Sequence, residues 1–171
     1  MHSSSNNQKI TDLSAILEGL LKAGIDFILV GGLAAVVQGA PVTTMDVDIV
    51  HSRSPENISK LFAFLKSIDA IYRRPDDKII APKAEDFSGH SLFSTRWGPI
   101  DVLSYIEEGK TFEDLLEYTI KIDFRGYTLR VLDIRTLIEL KKTSKDPEAI
   151  QRLPVLEETL RQLDERSGID K

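Results

Sequence analysis

The sequence predicts an α+β domain (α and β mixed): a mixed β-sheet flanked by helices, with further helices at the C-terminal end. Three observations carry this. The run "DFILV" (Asp26 to Val30) is continuously apolar after its first residue, as in a strand covered on both faces. "TIKIDF", Arg125-Gly126 and "TLRVL" read as a hairpin. Apolar residues recur at helical spacing before the first strand and again after the last.

Taken in order, Thr11 to Lys22 space Leu13, Ile16, Leu17, Leu20 and Leu21 on one helical face, with Thr11 or Asp12 as N-cap and Gly24 as the stop. After the first strand, Gly31-Gly32 turn the chain into a short helix, Leu33 to Gln38, closed by Gly39 and Pro41. "MDVDIV" (Met45 to Val50) is the second strand. Ser54 caps an amphipathic helix whose first position is Pro55. Residues 70–85 read as irregular, with one short strand at "KIIA". "SLFSTRW" and "IDVLSYI" flank a Gly98-Pro99 turn as two strands, and "TFEDLLEY" is a short helix. The tail holds two helices, Ile134 to Lys142 and about Glu148 to Glu165. The domain plan is a disordered polar tail over 1–10, a core over 11–131, and a helical extension over 132–171 packed on that core.

Composition narrows the class. The chain has 171 residues, 42% hydrophobic and 29% charged, ordinary values for one globular domain with a small appendage. No apolar run reaches the about 20 residues of a membrane span, and the N-terminal "MHSSSNNQK" has no hydrophobic signal region. With no cysteine there is neither a disulfide framework nor a thiolate zinc site, which fits a cytoplasmic protein. The net charge of −5 argues against long duplex DNA as partner, because phosphate binding needs clustered Lys and Arg. A local basic groove is compatible with it.

The chemistry concentrates in "DVD". Residues i and i+2 of a strand share a face, about 6.5–7 Å apart, so Asp46 and Asp48 point together while Met45, Val47 and Ile49 face the other way. Such a pair on an edge strand can simply face water. Three neighbours argue otherwise. The flanks are those of an interior strand. Gly31-Gly32 open a helix after a buried strand, where backbone N–H groups can face a phosphate. Asp101 interrupts a second apolar strand, "PIDVLSY". Semi-buried carboxylates repel one another, and a divalent cation relieves them. Two such ions about 3.5–4 Å apart would stabilise the entering and leaving oxygens of a phosphoryl transfer.

Gly31-Gly32, Asp46-Val47-Asp48 between apolar flanks, and Asp101 in a later strand together resemble the signature of the DNA polymerase beta-like nucleotidyltransferase superfamily, in its minimal bacterial and archaeal branch. That branch includes antibiotic nucleotidyltransferases and the nucleotidyltransferase toxins of toxin–antitoxin systems. The resemblance implies a nucleotidyltransferase fold and a Mg²⁺-dependent transfer of NMP from an NTP, ATP included, to a hydroxyl acceptor on a protein, an RNA end or a small molecule, with release of pyrophosphate. It implies that Asp46, Asp48 and Asp101 are the catalytic and metal residues, carrying two Mg²⁺ or Mn²⁺ ions. It also implies that Gly31, Gly32, Thr43, Thr44 and Lys142 bind the nucleotide, and it brings in an antitoxin as a partner. The alternative is a catalytically degenerate domain of the same fold that binds a nucleotide or partner. One departure keeps that alternative open: small relatives often carry a basic residue four before the first acid, where this chain has Val42. A metal-free structural module would leave three inward acids without neutralisation, at a cost.

Other motifs carry less. "SYIEEGKT" (Ser104 to Thr111) falls one residue short of a phosphate-binding loop, and Glu107-Glu108 would repel phosphates; Thr111 with Asp114 reads more simply as a capping box. His2, His51 and His90 show no zinc spacing, and alternation puts His51 on the face away from the acids. His90 and Arg96 lie near the Asp101 strand. Arg73 and Arg74, in "YRRPDDK", read as a solvated loop.

Overall fold

The computed structural model describes residues 11–169; the polar tail over 1–10 lies outside them. In chain order the elements are α1 (Leu13–Lys22), β1 (Phe27–Val30), α2 (Gly31–Val37), β2 (Val47–His51), α3 (Pro55–Ser67), β3 (Ile71–Tyr72), β4 (His90–Thr95), β5 (Gly98–Leu103), β6 (Tyr105–Ile106), β7 (Lys110–Thr111), α4 (Phe112–Leu115), β8 (Thr119–Phe124), β9 (Tyr127–Leu132), α5 (Ile134–Lys142) and α6 (Pro147–Ile169).

Seven strands form one mixed sheet in the order β3-β4-β5-β2-β1-β9-β8. The central trio sets the geometry of everything that follows. β1 runs antiparallel to β2, with Val30 opposite Asp48, and β2 runs parallel to β5, with Asp48 opposite Asp101. The end of β1, the start of β2 and the middle of β5 therefore meet in the centre of the sheet. All four residues of β1 are buried, as the unbroken apolar run requires of a strand covered on both sides. Phe27, Leu29, Val47 and Ile49 fill the core on one face. Ile28, Val30 and Val50 share the face of Asp48.

Local chemistry sets the element ends. Asp12 caps α1 by accepting from the Ala15 N–H at 3.0 Å, and Ser54 caps α3 by accepting from Asn57 N–H at 3.2 Å. Asn57 then bonds the Asp26 N–H at 2.7 Å and donates to the carbonyls of Asp26 and Ser52, pinning α3 to the loop before β1 and the end of β2. α5 docks on α2 through Gln38, whose amide donates to the Leu132 carbonyl and accepts from the Ile134 N–H, both at 2.9 Å. Leu137, Ile138 and Leu140 of α5 and Leu156 of α6 are buried in the main core.

Several boundaries differ from the sequence reading. "KIIA" is not a strand: the edge strand is Ile71–Tyr72, and the later segment supplies only the Ile80 carbonyl, which accepts from Tyr72 N–H at 2.9 Å. The helix after β1 starts at Gly31 rather than Leu33. β2 starts at Val47, so Asp46 sits just before the strand and Met45 is exposed instead of packed. "TFEDLLEY" yields a single α-turn, capped by Thr111 and Asp114 as their spacing predicts, followed by a 3-10 turn. No helix among the described residues is long and apolar enough to cross a membrane.

Candidate active site

The three acids converge. Asp46, Asp48 and Asp101 each present a carboxylate oxygen within 4.8 Å of the others. Two contacts of the fold achieve this. The parallel register of β2 and β5 puts Asp48 and Asp101 side by side on one face, and the bend before β2 brings Asp46 beside them. Gly31 makes room: its φ is +71°, and a Cβ there would overlap the Asp48 carboxylate, 2.9 Å from Cγ and closer still to Oδ2. Gly32 faces the other way. A Cβ on it would stand 3.1 Å from both Thr44 Oγ1 and Arg152 Nη1. Gly31 is thus a steric requirement of the site before it is anything else, and Gly32 leaves tight clearance to Thr44 and Arg152.

Electrostatics follow from crowding. Burial, the facing Asp101 carboxyl and the Asp46 charge push Asp48 up to about 8, against the opposing pull of Arg73. Asp46 is raised as well, by burial first and then by Asp101. Among the described residues Asp48 Oδ1 and His51 Nε2 are the buried side-chain atoms without a hydrogen-bond partner. An orphaned carboxylate oxygen between two further acids fits a divalent cation. Asp46 and Asp48, with Asp101 in reach, are the residues that would hold it.

Beside the acids lies a cavity of about 260 Å³. Gly31, Gly32, Asp48 and Asp101 line it from the sheet side, and Lys141 and Arg152 line it from the C-terminal helices. Of the positions expected to bind nucleotide, Gly31 and Gly32 reach this cavity directly. Thr44 is half-buried against Gly32, its hydroxyl donating to the Asp46 carbonyl at 3.3 Å. Thr43 is exposed and uses its carbonyl to accept from Arg152 Nη2 at 3.2 Å. Lys142 is exposed, with Nζ 3.3 Å from Glu139, and it is Lys141, one residue earlier, that faces the cavity. Val42 is half-buried against the core, and the cations that do line the cavity are Lys141 and Arg152.

Sequence reasoning missed three cations. Lys141 and Arg152 gave no local signal. Arg73, read as a loop residue, ion-pairs with Asp101, and its guanidinium also donates to the carbonyls of Phe93 at 3.1 Å and Ile100 at 3.3 Å. Arg74 does behave as a solvated residue, paired with Asp76. His90 bonds the Tyr105 carbonyl at 3.0 Å, and Arg96 stacks over Trp97, so neither lines the cavity. His51 is buried on the face opposite the acids, edge-on to Phe87. Ser104, in the loop-like "SYIEEGKT", is buried and donates to the Phe87 carbonyl.

No protein-family model and no curated protein matches the chain. Solved structures do. The lincosamide antibiotic adenylyltransferase LnuA, bound to lincomycin, superposes with a TM-score of 0.58 at 12% identity, over 86% of this chain and 97% of that one. ANT(2")-Ia in complex with adenylyl-2"-tobramycin does so with a TM-score of 0.52 at 12% identity, over 86% of this chain and 88% of that one. The likeness lies in the fold, a mixed sheet flanked by helices, which is the nucleotidyltransferase fold.

Proposed function

We propose that this chain, a nucleotidyltransferase fold whose sheet gathers three acids, is a divalent-cation-dependent enzyme moving NMP from an NTP to a hydroxyl acceptor. The observation that carries the reading is the convergence of Asp46, Asp48 and Asp101 beside a cavity with cations on its opposite wall. The acceptor hydroxyl attacks the α-phosphorus in line, its bond to phosphorus forms as the bond to the β-phosphate oxygen breaks, and pyrophosphate departs. What a bound divalent cation supplies here is neutralisation of the carboxylates and of the charge developing on the α-phosphate. Asp46 and Asp48 hold that charge in place. Asp101 completes the shell or accepts the hydroxyl proton. Gly31 and Gly32 keep the approach to the phosphates open, with Thr43 and Thr44 beside them. Arg152 and Lys141 meet the triphosphate charge from the helical side, while Lys142 is turned to Glu139. Catalysis is then mainly positioning and charge stabilisation.

The acceptor is a protein, an RNA end or a small molecule. Because the two structural neighbours carry lincomycin and an adenylylated tobramycin, small hydroxylated molecules come first in a screen. An NTP substrate is in keeping with a cytoplasmic enzyme.

The test is direct. Purified protein is incubated with α-phosphate-labelled NTPs, Mg²⁺ and either candidate acceptors or a cell extract. Wild type labels an acceptor, and Asp46→Ala or Asp48→Ala loses at least about 10²–10³-fold of that rate. Tight NTP–Mg²⁺ binding with no labelling of any acceptor would favour the binding module instead. If neither metal nor nucleotide raises the melting temperature, both readings fall.

A further inference from the structure

Arg73 is not a casual surface arginine. It follows the two-residue edge strand β3, and its backbone N–H is fixed to the Leu92 carbonyl at 2.9 Å. From there the side chain crosses β4 to β5 and spends its fork on three acceptors: the Phe93 carbonyl, the Ile100 carbonyl and the Asp101 carboxylate. The two carbonyls belong to opposite residues of the β4–β5 ladder, so their spacing is set by the sheet. A guanidinium is planar and permanently charged, and this geometry matches its fork. Its charge also acts on Asp46 and Asp48.

Resting on the reading given above, we propose that Arg73 takes the post of a second cation, so that the free protein holds a single divalent ion at Asp46 and Asp48, with Asp101 committed to the guanidinium. Three carboxylates bring three negative charges into a half-buried pocket. One guanidinium and one divalent ion match them, whereas two divalent ions beside a fixed guanidinium leave an excess of positive charge, which a half-buried site stabilises poorly. The ligand count agrees. One or two carboxylates plus water or phosphate suffice for Mg²⁺, and the buried unpartnered oxygen of the cluster is on Asp48, while Asp101 Oδ1 is taken by Arg73. Arg73 is thereby a positioning residue: it fixes Asp101 and sets how many ions the acids accept.

The measurement is a Mn²⁺ titration of the nucleotide-free full chain, with unbound Mn²⁺ counted by electron paramagnetic resonance and folding monitored by circular dichroism. Wild type is expected to bind one Mn²⁺ per chain. Arg73→Gln, which removes the fixed charge, is expected to bind two. Arg73→Lys retains the charge and guards against a glutamine variant that fails to fold; it is expected to stay at one. Arg74→Gln, outside the site, also stays at one. Two tight ions on wild type, an unchanged count in Arg73→Gln, or a second ion in Arg73→Lys would each overturn the inference. Because no nucleotide or acceptor is present, those results leave the labelling experiment untouched; failure to label with the expected ion counts would sink the transferase reading alone.

Discussion

Asp48 and Asp101 stand opposite one another at the same register of two parallel strands, β2 and β5. The arrangement puts two acids on one side of the sheet a single strand spacing apart, and Asp46 crowds them from the preceding bend. Arg73 answers Asp101, but Asp46 and Asp48 remain electrostatically crowded until a further positive charge enters.

The first prediction concerns pH. Asp48 is pushed up to about 8 in the folded chain, while in the unfolded chain it has the ordinary carboxylate value near 3.8. Between those two values the folded state binds the extra proton, so stability is fully present below the unfolded value and is lost as pH rises through the folded one. In EDTA the melting temperature of wild type should fall from pH 5 to pH 8. Asp48→Asn should flatten that fall and melt higher than wild type at pH 8, at roughly 2–4 °C per kcal/mol regained. Mg²⁺ should raise wild type at pH 8 and leave Asp48→Asn nearly unmoved. A wild-type protein that melts identically across that pH range would show that Asp48 does not carry the strain.

The second concerns Gly31. Its positive φ and the overlap of any Cβ with the Asp48 carboxylate make Gly31→Ala doubly unfavourable. A loss of about 1–3 kcal/mol is expected, with weaker metal binding because Asp48 must turn away. Denaturant melts and the Mn²⁺ titration read the two effects separately. Gly39→Ala is the control: it has positive φ but open space around the missing Cβ, so it should cost stability without touching metal affinity.

The third separates neighbouring cations. Arg152→Ala should raise the KM for NTP by about tenfold, the effect of one charge-assisted contact of about 1.5 kcal/mol, with a smaller change in kcat. Lys141→Ala should act in the same direction. Lys142→Ala, which removes an exposed Glu139 partner, should stay near wild type. Steady-state kinetics over NTP concentration settle the order; a Lys142 variant that suffers more than Arg152 would reverse the assignment of the cavity wall.

Much of the fold was legible because it is written locally. Caps such as Asp12, Ser54 and Thr111 act on N–H groups three residues ahead, and the buried run before Gly31 needs no distant information to read as an interior strand. Misreadings occur where local preference is weak. "KIIA" has strand-forming residues but only one backbone hydrogen bond to offer Tyr72, and the ladder went to Ile71–Tyr72 instead.

By itself, then, the sequence determined the two acids two residues apart, the third acid inside an apolar strand, and the glycine pair beside them, since spacing along a strand follows from its period. Only the tertiary structure decided that Asp101 lies across from Asp48 on the same side of the sheet, and that Arg73, Lys141 and Arg152 furnish the positive charge. Those residues come from just after an edge strand and from two late helices; Arg73 lies 28 positions from Asp101, and Arg152 lies 109 from Thr43. Long flexible cations have no period of their own, so packing alone chooses where each one points.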